Sequence, residues 1–212
     1  MPAERVTSLS PWHVVFVIDD SGSMSISGAA KHVNAAMEQL ISDMQLLSQG
    51  MKPYFKLSVF SFGSDSKVLA TVQNEMQIDT NVVANFQGTS GTTNAAGALT
   101  EAYNILANNG GSERDFEPFV FFLSDGDPDN PQLALDAGQK IKSMSVPAGT
   151  PRLVTLGFGA TNDSFMRDLA SNPELYKKLQ TSSDITSVLP AVGTMTGKAP
   201  GADGVAQAIM HM

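Results

Sequence analysis

The sequence predicts a doubly wound α/β fold: a mostly parallel central sheet with one antiparallel edge strand and helices on both faces. Short apolar runs alternate along the chain with longer stretches of helical period. The runs are apolar without a break, as in strands buried on both faces, and two of them stop abruptly at Asp, Ser and Gly.

The elements follow in order. Val14 to Ile18 is a β-branched and aromatic run that ends at Asp19-Asp20-Ser21-Gly22, which predicts a first buried strand. From Ala29 to Leu47, Val33, Met37, Leu40, Ile41 and Met44 recur at helical spacing, with Gly50 as the stop. Tyr54 to Phe62 alternates as a strand, and Gly63-Ser64-Asp65 turns it into a short hairpin partner over Lys67 to Val72. Residues 73–91 are polar and read as an irregular connection or a short helix. Thr93 to Ala107 is predicted helical, with Ala98, Leu99, Ala102, Ile105 and Leu106 facing inward. Phe119 to Leu123 is a second fully buried strand, again closed by Ser124-Asp125-Gly126. Gln132 to Met144 is a helix, Leu153 to Phe158 a third buried strand, and a short helix follows Asn162-Asp163. Tyr176 to Gln180 completes the sheet as an edge strand before a last helix over Ile185 to Val192. Right-handed crossovers in this Rossmann-like order place the loops after each strand on one rim, where such sheets bind ligands.

The 212 residues suffice for one such domain, and 42% hydrophobic with 16% charged residues argues against disorder. No apolar run approaches the ~20 residues that span a bilayer. Met1 to Pro11 lacks the pattern of a secretory signal. There is no cysteine, which excludes disulfides and thiolate metal sites and fits a reducing, cytoplasmic compartment. A net charge of -8 disfavours nucleic acid and anionic membrane surfaces as partners.

Three separate segments bring hard oxygen donors to the rim. They are Asp19, Ser21 and Ser23 after the first strand, Thr93 at the start of a helix, and Asp125 after the second fully buried strand. Carboxylates with hydroxyls and water suit Mg²⁺ or Mn²⁺ better than Ca²⁺. Because the hydroxyls are neutral, the cation would remain electrophilic enough to accept one more anionic oxygen from outside.

Phe16 to Met24 resembles the metal-ion-dependent adhesion site of von Willebrand factor A domains. Ser90-Gly91-Thr92-Thr93-Asn94 with Ala98-Leu99 resembles that family's threonine loop, and Phe122 to Pro128 its aspartate loop. Leu156-Gly157-Phe158-Gly159 before Asn162-Asp163 is similar to its fifth strand. The resemblance covers residues 12–193, leaving 1–11 as an N-terminal extension and 194–212 as a tail. It implies that Asp19, Ser21, Ser23, Thr93 and Asp125 surround one divalent cation. Thr92 neighbours Thr93, and both alignments are open. Thr93 is preferred because, as in the family pattern, it precedes Asn94 and lies five residues before Ala98-Leu99. The short cysteine-free chain resembles stand-alone bacterial members. These are the tellurium-resistance-associated group, which works beside a kinase and a phosphatase, and adaptors of MoxR-type AAA ATPases.

Simpler readings compete. Asp19, Ser21 and Ser23 are also common helix N-caps. Asp125, Asp127 and Asp129 imitate the start of a calcium loop, but Asn130 replaces its turn glycine and Asp136 its closing Glu. Asp127 and Asp129 therefore read as solvated rim charges or a cap for the helix from Gln132. His13, His32 and His211 lack zinc-site spacing, and Asn162-Asp163-Ser164 matches a glycosylation acceptor of a kind common by chance. No nucleophile elbow or phosphate-cradling loop is present. The expectation is a non-enzymatic, metal-dependent module that captures an Asp or Glu of a protein partner, as an adaptor or regulatory subunit. The alternatives are a metal-dependent phosphatase or nuclease, or a scaffold with a vestigial site.

Overall fold

The computed structural model describes residues 11–47 and 55–196. Its strands are β1 (Trp12–Asp19), β2 (Phe55–Phe62), β3 (Ser66–Asn74), β4 (Phe116–Ser124), β5 (Arg152–Gly157) and β6 (Tyr176–Lys178). They form a six-stranded sheet in the order β3-β2-β1-β4-β5-β6. Among the sheet pairings of the described residues only β2–β3 is antiparallel, so β3 is the predicted antiparallel edge. The helices are α1 (Gly22–Ile26), α2 (Ala29–Leu47), α3 (Thr80–Val83), α4 (Ala95–Asn108), α5 (Pro131–Ser143), α6 (Asp163–Leu169) and α7 (Ile185–Thr196). α2 packs with α7, while α4 packs with α5 and α5 with α6, giving the two helical layers of a doubly wound sheet.

The two central strands are apolar for the reason read from the sequence: every residue of β1 is buried, as is every residue of β4 from Pro118 on. Phe16 stacks on Phe121 with ring centroids 5.5 Å apart, and Phe62 on Phe122 at 5.3 Å, tying β1 and β2 to β4. On α2, Val33, Met37, Leu40, Ile41 and Met44 are buried as their spacing predicts. Ala98, Leu99, Ala102 and Leu106 form the inner face of α4, with Ile105 only partly covered.

Several elements differ from the sequence expectation. α1 was not foreseen, because its Gly-Ser composition has little helix propensity; burial of Met24 fixes it. The helix predicted from Thr93 begins at Ala95, since the Asn94 side chain accepts the Gly97 amide as a cap and leaves Thr93 in the loop. β3 runs on to Asn74 through a bulge at which Val72 adopts φ 47°, a costly left-handed conformation for a β-branched residue. The Val72 amide there donates to Ser58 Oγ at 3.0 Å, and the same hydroxyl meets His13 Nε2 at 3.0 Å. The polar 73–91 stretch holds a 3₁₀ turn and α3. The helix stop at Gly50, the strand start at Tyr54 and the tail beyond Thr196 lie outside the described residues.

This order has one topological switch point, between β1 and β4, where connections depart in opposite directions. Asp19 ends β1 and Ser124 ends β4, so the predicted site lies at the open crevice of the sheet.

Candidate metal centre

Asp19 is fully buried at the end of β1. Its Oδ1 accepts the Ser21 amide at 2.8 Å and its Oδ2 the Ser124 hydroxyl at 2.6 Å. Burial pushes the Asp19 carboxyl up to about 6; hydrogen bonds from Ser124 and Ser21 oppose the rise, and the charge of Asp125 adds to it.

Asp125 is buried one residue beyond β4. Ser23 donates to its Oδ1 at 2.5 Å and Ser27 to its Oδ2 at 3.1 Å, so both carboxylate oxygens face α1. Ser21 Oγ lies 3.1 Å from Ser23 Oγ. Ser21 occupies the N-cap position of α1 yet makes no side-chain cap bond, which argues against the capping reading. Asp19, Ser21, Ser23 and Asp125 thus form one connected cluster, graded from buried Asp19 to solvent-exposed Ser23.

The threonine loop is held against this cluster by groups that sequence reasoning left without a role. Asp20 points away from Asp19. Its Oδ1 accepts the amides of Gln87 (2.7 Å) and Gly88 (2.6 Å), and its Oδ2 the Ser90 hydroxyl (2.9 Å). The Gly22 amide donates to the Gly91 carbonyl at 3.0 Å, joining the β1 loop directly to the threonine loop. Gly63 is required beside it, because a Cβ there would collide with the backbone carbonyl of Ser90. Thr93 is half-buried in this loop.

Asp127 and Asp129 are exposed rim charges as expected, but the alternative reading of them as a cap for α5 needs correction. Asn130, not Asp129, caps α5 by accepting the Leu133 amide at 3.1 Å. Asp129 instead accepts the Thr92 hydroxyl at 2.6 Å and the Thr93 amide at 3.0 Å, while Asp127 accepts the Asn162 amide at 3.1 Å. Both are exposed, and both bridge loops of the rim. A backbone amide as partner leaves no trace in a sequence, so neither role was legible.

The donor set fits a hard divalent cation. Among the described residues no group of three or more His, Asp or Glu side chains converges, so any cation here must rest on carboxylates together with hydroxyls. The ion pairs Lys56–Asp115, Arg152–Glu117 and Lys178–Asp163 all lie elsewhere, and neither Asp19 nor Asp125 takes part in them. Burial, and to a lesser extent the charge of Asp125, disfavours ionised Asp19, and a cation shared by the two carboxylates offsets both effects most directly.

Comparison with known proteins agrees with the fold. No curated protein sequence matches the chain. Among solved structures, the pilus adhesin SpaC from Lactobacillus rhamnosus GG gives a TM-score of 0.77 at 13% identity, covering 92% of this chain and 32% of the adhesin. Proximal thread matrix protein 1 from the mussel byssus, with a zinc-occupied MIDAS motif, gives 0.66 at 14% identity over 88% and 48%. Manganese-loaded TRAP protein from Plasmodium vivax gives 0.60 at 20% identity over 87% and 74%. The chain spans less than half the length of the first two. The von Willebrand factor type A domain profile matches residues 13–192, nearly all of the described chain, and the protein belongs to that family.

Proposed function

We propose that the chain is a metal-dependent protein-binding module. One divalent cation, Mg²⁺ or Mn²⁺, rests on Asp19, Ser21, Ser23, Thr93 and Asp125 and takes a carboxylate oxygen from an Asp or Glu of a partner. The observation that carries this reading is the pair of buried carboxylates, Asp19 and Asp125, linked through Ser21 and Ser23, with no ion pair to either among the described residues. The bound cation supplies an electrophilic position at the exposed end of the cluster. The chain's own part is to exclude water from Asp19 and to hold the Ser23 hydroxyl beside Asp125. Metal-loaded neighbours of the same fold, one with zinc and one with manganese, support the assignment.

The module works without catalysis, as an intracellular adaptor or regulatory subunit. Its partner is a protein such as a kinase/phosphatase pair or a MoxR-type AAA ATPase. Among the described residues no helix is long and apolar enough to cross a membrane. Titration calorimetry with Mg²⁺ and Mn²⁺ on wild type and Asp19→Ala tests the metal, and affinity capture with Mg²⁺ or EDTA tests the partner. Heat of binding in the wild type alone, with capture lost in EDTA, is the expected result. Metal-independent capture by both proteins removes the reading, and metal-dependent phosphatase or nuclease turnover replaces it with a catalytic one.

A further inference from the structure

Two threonines stand side by side in the rim loop, and only one is needed to complete the cation's shell. The chain treats them differently. Thr92 gives its single hydroxyl proton to Asp129 Oδ2 at 2.6 Å, its oxygen lies 3.4 Å from Ser64 Oγ, and its amide donates to Ser64 Oγ at 3.1 Å. Thr93 is held through its backbone: its amide donates to Asp129 Oδ1 at 3.0 Å, and its carbonyl accepts the Asp129 amide at 3.0 Å. Both oxygens of Asp129 are engaged, one by each threonine, so its carboxylate plane is set by the loop it grips.

We propose that Asp129 is a positioning residue that selects between these threonines: it occupies the Thr92 hydroxyl and anchors the Thr93 backbone, leaving the Thr93 hydroxyl for the cation. The inference rests on the metal-binding reading above and adds an outer-shell residue to it. Outer-shell partners of metal ligands act by fixing ligand orientation. Asp129 does this from an exposed position four residues beyond Asp125, so the aspartate loop supplies one ligand and orients another. Because the clasp lies at the surface, its loss should leave the core intact.

The test compares Asp129→Ala, Asp129→Asn, Thr92→Ala and Thr93→Ala in the full chain. Mn²⁺ affinity is measured by calorimetry, and Thr93 amide exchange is measured in the metal-free protein. Asparagine can accept the Thr93 amide through Oδ1 and donate to the Thr92 hydroxyl through Nδ2, which keeps the clasp while removing the charge. Asp129→Ala should weaken Mn²⁺ binding by about tenfold or more and speed Thr93 exchange, while Asp129→Asn stays near wild type in both. Thr93→Ala should cost far more affinity than Thr92→Ala. Equal losses in Asp129→Ala and Asp129→Asn would mean that Asp129 acts through its charge, and would overturn the clasp. Wild-type affinity in Asp129→Ala, or a greater loss in Thr92→Ala than in Thr93→Ala, would overturn it too. If the wild type itself takes up no Mn²⁺, the metal reading falls and this proposal with it. That outcome is distinct from a wild type that binds while Asp129→Ala binds equally well.

Discussion

Ser124 donates its hydroxyl proton to Asp19 across the seam between β1 and β4, 2.6 Å from oxygen to oxygen. This bond opposes the rise that burial imposes on the Asp19 carboxyl and keeps more of it ionised and ready for a cation. Ser124→Ala should therefore weaken Mn²⁺ binding by about tenfold, within the range seen for outer-shell substitutions. Calorimetric titration at pH 7 checks this, and unchanged affinity would remove Ser124 from the site.

Loading the site should also stabilise the fold. A ligand at about 100 times its Kd adds roughly 2.7 kcal/mol. For a domain of this size that corresponds to an increase of about 5–10 °C in Tm. Scanning calorimetry with saturating Mg²⁺ and with EDTA should show the gap in wild type, and Asp19→Ala should close it.

His13 predicts a separate dependence on acidity. Burial, with the positive charge of Lys56 adding to it, pulls its pKa from 6.5 down to about 4. The folded state therefore holds the proton less tightly than the unfolded chain. Its contribution is intact above about pH 6.5 and is lost as pH falls toward 4, up to roughly 3 kcal/mol at 1.36 kcal/mol per unit. Asp19, whose carboxyl is raised, works in the opposite direction, so wild type alone is not diagnostic. The stability gap between wild type and His13→Phe, from urea midpoints at pH 7.5 and 4.5, should shift by about 2–3 kcal/mol in favour of the variant at the lower pH. A gap that does not move would refute the assignment.

Gly63→Ala tests the packing of the threonine loop. The added methyl meets the Ser90 backbone, which cannot rotate away. A loss of about 1–3 kcal/mol in stability is expected, as for other overpacked positions. A weaker Mn²⁺ titration should accompany it if loop placement matters to the site.

Much of this was readable from residues alone. The unbroken apolar runs before Asp19 and Ser124 placed both strands, and their ends fell at the switch point of the sheet. Asp19, Ser21, Ser23 and Asp125 are joined by hydrogen bonds at the rim to which their places after the two strands assign them. The supports were less legible. Asp20 and Asp127 accept amides from loops far away in sequence, and amides carry no side-chain signature. Ser27 and Ser124 were ordinary serines until the fold set them against carboxylates. α1 escaped notice because local propensity opposes it, while the burial of Met24 and the bonds from Ser23 and Ser27 to Asp125 sustain it.

The bulge at Val72 has a consequence far from the rim. Among the described residues β3 pairs only with β2, so its outer side is an edge of the sheet at which a further strand could add. A valine turned to φ 47° breaks the regular pleat there, and Ser58 draws the Val72 amide inward. A second molecule seeking to extend the sheet meets an interrupted ladder, so the strain stored in one residue guards the protein against edge-to-edge aggregation.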